Sequence, residues 1–252
     1  MDDAHTPIPA ATLVIFRDRD GAAPDLLMVE RAKAMAFAGG ATVFPGGRVD
    51  PGDHALAARF GGEPEDIAAR IAAIRETIEE AGVPIGLTPM PDADAVTRLR
   101  AALHAGATFG AALDAHGFTI DPAPLVPFAR WVPTHPARRV FDTRFYLAAL
   151  PGGAPEPTVD ATENTHVFWA GAGRVLDDAA SGRRHVIFPT RRNLERLARY
   201  ASFAHAHADA LAYPVRTVSP WTEERGGVPH LCIPDDLGYP VTAEPLADAK
   251  RG

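Results

Sequence analysis

One short segment, AAIRETIEEAGVPIG at residues 72–86, constrains the fold of this chain more than any other. Apolar residues at helical spacing predict an amphipathic helix from about Glu65 to Ala81. Gly82 takes the position after the helix, where glycine is preferred, and Pro84 prevents the helix from continuing. Isoleucines gather on one side of this helix, so we expect that side to be anchored in the core.

Three glutamates project from the opposite side of the same helix. At the helical angle per residue, Glu76, Glu79 and Glu80 fall within about 100° of one another. Like charges at this spacing repel, and they lie near the helix C-terminus, where the helix dipole disfavours anions. A solvated acidic face is the common alternative. A hard divalent cation such as Mg²⁺ or Mn²⁺ would relieve the repulsion, because these ions prefer oxygen ligands.

The rest of the chain interleaves strands and helices. Strands are predicted at 11–18, 25–32, 41–49, 125–133, 139–150 and 166–170, and further helices at 92–117, 173–182 and 190–206. The tail from Tyr213 is rich in proline and glycine and is predicted to hold one short strand at 230–234. This order predicts one α/β domain over 1–252, with a helical insertion at 86–122 and a C-terminal extension over 183–252.

Charge and cysteine content exclude several classes of function. The formal net charge of -7 disfavours nucleic acid as a partner, because a polyanion would be repelled on average. The single cysteine, Cys232, excludes an internal disulfide and a cysteine-based metal cluster. The acidic N-terminus and the short apolar runs predict neither a signal peptide nor a membrane span, so we expect a cytoplasmic location.

The glutamate helix carries a family resemblance. Residues 75–83, RETIEEAGV, resemble the second half of the Nudix box, Arg-Glu-apolar-x-Glu-Glu-x-Gly-apolar. Upstream, FPGGRVDPGD resembles its first half, with Gly47 and Asp53 at the glycine and acid positions. The two halves in order form a specific signal, a box spanning 47–83. The sequence departs from the family at Asp53, which replaces a glutamate, and at Thr77, which replaces an aliphatic residue.

The box is also interrupted, which suggests a branch of the family. Twenty-one residues, 54–74, stand where the family has seven, and the extra residues resemble a helix and turn inserted near 54–67. Together with VFPGG, ARWVPT and IPDDLGYP, this resembles the branch that includes the peroxisomal coenzyme A diphosphatases. The general coenzyme A signature is only partly present: Gly40 fits it, but Ala36 stands where it has an arginine.

The resemblance implies an α/β/α sandwich with a mixed sheet, and metal-dependent hydrolysis of a nucleoside diphosphate linked to another group. By the family pattern Glu79 and Glu80 ligate Mg²⁺ or Mn²⁺, and Glu76 ligates a second ion or holds the attacking water as base. The Gly46 carbonyl is a further candidate ligand, and Arg75 would orient the carboxylates. The substrate would be coenzyme A or acyl-coenzyme A, or alternatively ADP-ribose, a dinucleotide or a nucleotide sugar. A regulatory module that binds a nucleotide without cleaving it is a second hypothesis, and a homodimer is one possible assembly.

Members of this family often recruit one more acid from outside the box. Glu163 is the favoured candidate, ahead of Asp160, and Asp142 is a third whose alternative role is a structural partner of Arg139 or Arg144. Arg31 and Arg144 are predicted to bind substrate. A separate feature is PTRRNLERL, where Arg191 and Arg192 begin a helix and could meet a phosphate, although a solvated first turn is the preferred interpretation.

Overall fold

The computed structural model describes residues 6–35, 38–133, 140–160 and 162–249. In chain order the strands are β1 (Ile8–Arg19), β2 (Ala22–Arg31), β3 (Thr42–Val43), β4 (Gly46–Arg48), β5 (Leu87–Thr88), β6 (Thr119–Ile120), β7 (Val126–Trp131), β8 (Phe141–Ala149), β9 (Asn164–Gly171), β10 (Thr217–Val218), β11 (Trp221–Arg225), β12 (Val228–Cys232) and β13 (Ala243–Pro245). The helices are α1 (Pro51–Ala57), α2 (Pro64–Ala81), α3 (Ala93–His104), α4 (Phe109–His116), α5 (Ala172–Ala180), α6 (Phe188–Leu197), α7 (Phe203–Ala212) and α8 (Leu246–Ala249).

A mixed sheet forms the centre of the described residues. Its main path runs β10-β7-β8-β1-β2-β3, with β4 added to β1 and β9 added to β2. β1 pairs in parallel with β8 and antiparallel with β2 and β4, which gives the sheet its mixed character. The β1–β2 hairpin closes at Asp20 and Gly21, and Gly21 has the positive φ of 67° that such a turn requires.

Both faces of this sheet are covered by helices. Along β1, Leu13 and Ile15 point to one face and Val14 and Phe16 to the other, as the two-residue period of a strand requires. The first face packs against α2 through its isoleucines and against α1, α3 and α4. The second face packs against α5, α6 and α7. The predicted α/β/α sandwich with a mixed sheet is therefore confirmed.

The segment 41–49 differs from its prediction as one strand that ends at Pro-Gly-Gly. The structure divides it into β3, which pairs with β2, and β4, in which Gly46 and Gly47 are themselves strand residues. Thr12 of β1 lies opposite Gly46, and a Cβ on Gly46 would collide with the carbonyl oxygen of Ala11. Only glycine allows β4 to lie this close to β1, which places the glycine pair beside the glutamate helix.

The C-terminal part of the chain differs from its prediction in two places. The stretch 190–206 is two helices, because α6 ends at Leu197 and α7 starts after Ser202, whose hydroxyl accepts the His205 N–H at 3.2 Å. The tail forms four strands rather than one short strand, since β10 joins the main sheet and β11, β12 and β13 form an antiparallel sheet of their own. The hairpin between β11 and β12 turns at Gly226 and Gly227, both at positive φ.

The insertion at 86–122 is helical as predicted, although it contains two helices, α3 and α4. A short antiparallel pair, β5 with β6, closes it at the base. None of the described helices is long and apolar enough to cross a lipid bilayer.

Candidate functional site

The α2 helix carries its glutamates to the edge of the sheet where β4 lies. Its first turn is capped by Glu63, whose carboxylate accepts the N–H groups of Glu65 at 3.2 Å and Asp66 at 2.7 Å. It ends as predicted, at Gly82, which has a φ of 68° and donates its N–H to the Ile78 carbonyl. The buried isoleucines on one side fix the rotation of α2, so the acidic side is turned toward β4.

Arg75 is the hub of this acidic cluster. Its guanidinium is 8% exposed and bonds both oxygens of Asp53, through Nε at 3.0 Å and Nη2 at 2.9 Å. Nη1 donates to Glu76 Oε1 at 2.9 Å and to Glu79 Oε1 at 3.2 Å. Nη2 also donates to the Arg48 carbonyl at 2.9 Å. The arginine thus fixes two of the three glutamates against the β4 strand.

Asp53, the acid of the first half of the motif, is a buried anchor for that arginine. It is 1% exposed, and its Oδ2 also accepts the Asp50 N–H at 2.9 Å at the start of α1. The residues between Asp53 and Arg75 form α1, a turn and the first half of α2, so the chain loops out and returns. The insertion therefore leaves the two halves of the motif in contact.

Glu80 is held from the other side by the backbone of β4. Its Oε2 accepts the Gly46 N–H at 2.9 Å, while Oε1 is buried, makes no hydrogen bond within the described residues and lies 3.5 Å from Arg31 Nη1. Burial raises the pKa of Glu80 to about 7, against the lowering effects of the Gly46 N–H and of Arg31. One of its two oxygens, Oε1, is thus left with an ion pair to Arg31 and no hydrogen bond among the described residues.

The Glu76 carboxyl group occupies the space that a side chain on Gly47 would fill. A Cβ on Gly47 would collide with the Glu76 carboxyl carbon and with both its oxygens. Burial raises the pKa of Glu76 to about 8 against the opposing charge of Arg75, and the neighbouring carboxylates of Glu80 and Glu79 add to the rise. Without a further cation, the pKa of Glu76 therefore lies well above that of a free glutamate.

The chemistry of the acidic cluster suits the binding of a divalent cation, although its carboxylates do not converge on one point in this structure. Within the described residues, no group of three histidine, cysteine, aspartate or glutamate side chains is arranged as a ready metal cage. However, Glu80 Oε1 accepts no hydrogen bond among the described residues, and burial together with the neighbouring carboxylates raises the pKa of Glu76. An all-oxygen donor set of this kind suits Mg²⁺ or Mn²⁺.

A cavity of about 660 Å³ opens beside the acidic cluster. Arg75, Glu76 and Glu79 line one part of it, and Trp131 and Phe145 line another part. The Trp131 ring is fixed because its Nε1–H donates to the Tyr239 hydroxyl at 3.1 Å and its edge contacts Phe188. The start of α6, at Ile187, Pro189 and Thr190, also lines the cavity. A volume of this size suits a ligand larger than a diphosphate.

Two of the residues predicted from outside the motif meet in this cavity. Arg31 and Glu163 both line it, with Arg31 Nη2 3.7 Å from Glu163 Oε2. Arg31 thereby stands between Glu163 and Glu80, and its Nε has no hydrogen-bond partner in the described part of the chain. Asp160 instead closes the preceding loop, since its carboxylate accepts the N–H groups of Glu163 and Asn164 at 2.9 and 3.1 Å.

Other predicted residues lie elsewhere. Arg144 lines a second cavity, of about 380 Å³, where it bonds Asp66 at 3.2 Å. Asp142 pairs with Arg130, through Nε at 2.7 Å, rather than with Arg144. Two positions, Ala36 and Arg139, lie outside the described residues.

The interpretation of the first turn of α6 as solvated is wrong for Arg192. Arg192 as a whole is 1% exposed, and its guanidinium bonds Glu195 at 2.7 Å and Glu244 at 3.1 Å. Arg191 also reaches Glu244, at 3.4 Å. The two arginines therefore join α6 to β13 through Glu244.

Two polar residues of the cavity were missed by the sequence analysis, Arg48 and Thr190. Arg48 directly follows the Gly46-Gly47 pair, so its place in the motif was a usable signal. Pro189, at the second position of α6, marks a helix start, and Thr190 follows it. However, no local pattern shows that this helix start faces the glutamates.

Comparisons with known proteins agree with this geometry. No protein-family model matches the chain. A NUDIX hydrolase from Alicyclobacillus acidocaldarius matches with 30% identity over 81% of this chain and 96% of that chain, at a TM-score of 0.70. A MutT NUDIX hydrolase from Burkholderia pseudomallei matches with 18% identity over 75% and 97% of the two chains, at a TM-score of 0.40. An Ap4A hydrolase from C. elegans matches with 18% identity over 81% and 98%, at a TM-score of 0.39. The first of these similarities, together with the assembled two-part motif, shows that the chain belongs to the Nudix hydrolases.

Proposed function

We propose that this protein is a pyrophosphohydrolase that requires Mg²⁺ or Mn²⁺ and cleaves the diphosphate of a nucleoside diphosphate linked to a further group. One observation carries the proposal. Three glutamates on one face of α2 are held by Arg75 and by the β4 backbone, and two of them line a cavity large enough for a nucleotide-type ligand.

We assign the acidic residues the roles that the family resemblance implies. Glu79 and Glu80 would hold the cation, with the Gly46 carbonyl as a further ligand. When bound, the cation would neutralise charge on the diphosphate and lower the pKa of the attacking water. The pKa of Glu76 is raised to about 8, above the value of about 7 for Glu80, and Glu76 lines the cavity, so it is suited either to hold a second ion or to take the proton of that water.

Asp53 and Arg75 position the glutamate side chains. Asp53 is buried and fixes the guanidinium of Arg75, which in turn sets the side chains of Glu76 and Glu79. Because Asp53 has no access to the cavity, it acts through Arg75 rather than on the substrate. The carboxylates are thereby preorganised, which lowers the entropic cost of assembling the site.

The diphosphate itself needs cationic contacts from the protein. Arg31 lines the cavity and is held only loosely between Glu80 and Glu163, so its guanidinium is the side chain best placed to contact the diphosphate. Glu163 is 56% exposed at the same place and is the proposed acid from outside the motif. Arg144 opens to a different cavity, so we propose no contact between it and the substrate.

The substrate class is a small nucleotide-type molecule, for which coenzyme A and acyl-coenzyme A, ADP-ribose, dinucleotides and nucleotide sugars are the candidates. A mixed panel of these, incubated with Mg²⁺ or Mn²⁺ and followed by mass spectrometry, should give two phosphate-containing products from at least one member. Glu79→Gln should abolish turnover with the fold intact. Glu65→Gln, an exposed glutamate in the first turn of the same helix, is the matched control and should leave turnover unchanged.

Two results would contradict this proposal. Activity that survives in Glu79→Gln would show that this glutamate does not hold the essential cation. Tight binding of an intact nucleotide, with no products from protein that binds the metal, would instead support a regulatory module.

A further inference from the structure

The start of α6 presents unpaired hydrogen-bond donors beside the cavity. This ten-residue helix begins at Phe188, and Ile187 before it supplies no side-chain cap. The N–H of Arg191 bonds the Ile187 carbonyl at 2.9 Å, and Pro189 has no N–H. Within the described residues, the N–H groups of Phe188 and Thr190 have no hydrogen-bond acceptor. Donors of this kind, with the positive end of the helix dipole behind them, attract anions.

The Thr190 side chain gives a second, independent indication of a ligand. Thr190 is 3% exposed and lines the cavity, yet its hydroxyl has no hydrogen-bond partner among the described residues. The hydroxyl itself keeps contact with the cavity, since Thr190 Oγ1 is not among the fully buried unpaired polar atoms of the described residues. A group that enters the cavity and accepts hydrogen bonds would satisfy this hydroxyl and the two N–H groups together.

Arg48 adds positive charge to the same cavity, whereas the charge of Arg31 is balanced there by Glu80 and Glu163. Arg31 keeps an unpaired Nε there, and Arg48 lines the cavity with no ion pair or side-chain hydrogen bond in the part of the chain that the structure describes. The acidic part of the cavity, at Glu76 and Glu79, would repel an anion in the absence of metal. In the metal-free protein an anion is therefore favoured away from these carboxylates, where the start of α6 offers its unpaired N–H donors.

We propose that the start of α6 binds a phosphate monoester carried by the substrate at a point remote from the diphosphate that is cleaved. The cavity volume of about 660 Å³ exceeds what a diphosphate needs, and the aromatic wall at Trp131 and Phe145 offers apolar contact for the part of the substrate between the two phosphate groups. This proposal rests on the proposed function, since it specifies the substrate of that same site as one with a second phosphate.

The first experiment tests the subsite without catalysis. Inorganic phosphate is titrated into metal-free protein by calorimetry, for the wild type and for Thr190→Val, Thr190→Ser and Thr97→Val. Thr190→Val keeps the shape and loses the hydroxyl, so phosphate should bind at least about tenfold more weakly, as expected for a hydrogen bond to a charged group. Thr190→Ser should restore the affinity. Thr97 is an exposed threonine of α3, whose hydroxyl bonds the Ala93 carbonyl, and its valine variant should match the wild type.

The second experiment uses substrate pairs that differ only by a phosphate monoester, such as coenzyme A with its dephospho form and NADPH with NADH. In at least one pair, kcat/KM of the wild type should be at least about tenfold higher for the phosphorylated member, and Thr190→Val should bring the ratio toward one. Phosphate binding that is absent, or equal in the wild type and Thr190→Val, would overturn the subsite. A ratio unaffected by Thr190→Val would overturn the assignment to a second phosphate. Failure of hydrolysis on every compound would count against the proposed function alone, because the titration is independent of turnover.

Discussion

Replacing Asp53 by alanine should destabilise this protein strongly, although Asp53 lies outside the cavity. The Asp53 carboxylate is 1% exposed and makes two charge-assisted bonds to Arg75, at 2.9 and 3.0 Å, with a third from the Asp50 N–H. Its removal leaves the Arg75 guanidinium, which is 8% exposed, without its main counter-ion. The same change frees the guanidinium to turn away from Glu76 and Glu79.

The size of the effect follows from burial. Removing one partner of a buried ion pair costs about 3–5 kcal/mol of unfolding free energy. Arg75 retains bonds to Glu76, Glu79 and the Arg48 carbonyl, so we expect the lower end, about 3 kcal/mol. For a chain of this length each kcal/mol lowers the melting temperature by about 2–4 °C, which gives a decrease of about 6–12 °C.

The assay is chemical and thermal unfolding of the metal-free protein, with a matched pair on the surface as control. Arg59 and Asp114 form the same two-bond pair, both at 3.0 Å, but with side chains 54% and 59% exposed. Asp114→Ala should leave the unfolding free energy nearly unchanged, because exposed ion pairs contribute little. Equal effects of Asp53→Ala and Asp114→Ala would refute the argument that burial makes Asp53 the anchor of the site.

Two further predictions concern the carboxylates themselves. Gly47→Ala should lower kcat/KM by about 100-fold, because the added methyl group must displace the Glu76 carboxyl group and small displacements in a catalytic site are costly. Steady-state kinetics measure this effect, and unchanged kinetics would contradict the close contact between Gly47 and Glu76. In metal-free protein, the pKa of Glu76 is about 8 in the folded state, against 4.5 for a free glutamate side chain. Between these two pH values the folded protein binds more protons than the unfolded protein. Its unfolding free energy should therefore fall as the pH rises through that window. Glu76→Gln should therefore raise the melting temperature at the alkaline end of the window and not at the acid end, and the same effect at both ends would disprove the assignment.

The sequence by itself determined the elements that depend on local pattern. The α2 helix was predictable to within one residue at its start, because its isoleucine period, Gly82 and Pro84 are all local signals. The strands at β1, β2, β7, β8 and β9 were predictable for the same reason. The motif at 47–83 likewise indicated the acidic face of α2, since residues three and four apart on a helix always share a side.

The tertiary structure alone decided which of these pieces meet. Nothing local shows that Asp53 returns to Arg75 across the α1 insertion, because that contact depends on how the inserted helix packs. Strand alternation predicts that Arg144 and Phe145 point to opposite faces of β8, but it does not say which face carries the glutamate cavity. The start of α6 reaches that cavity only because residue 185 lies beside β3, where the Thr42 N–H bonds the His185 carbonyl at 2.7 Å.

The physical reason for this division is the range of the interactions involved. Helix period, capping and turn geometry act within a few residues, so they can be deduced from the order of the amino acids. The pairing of Asp53 with Arg75, the burial of Arg192 and the approach of Thr190 to the cavity require segments far apart in the chain to pack together. Burial then sets the strength of each charge interaction, and burial is a property of the packed structure alone.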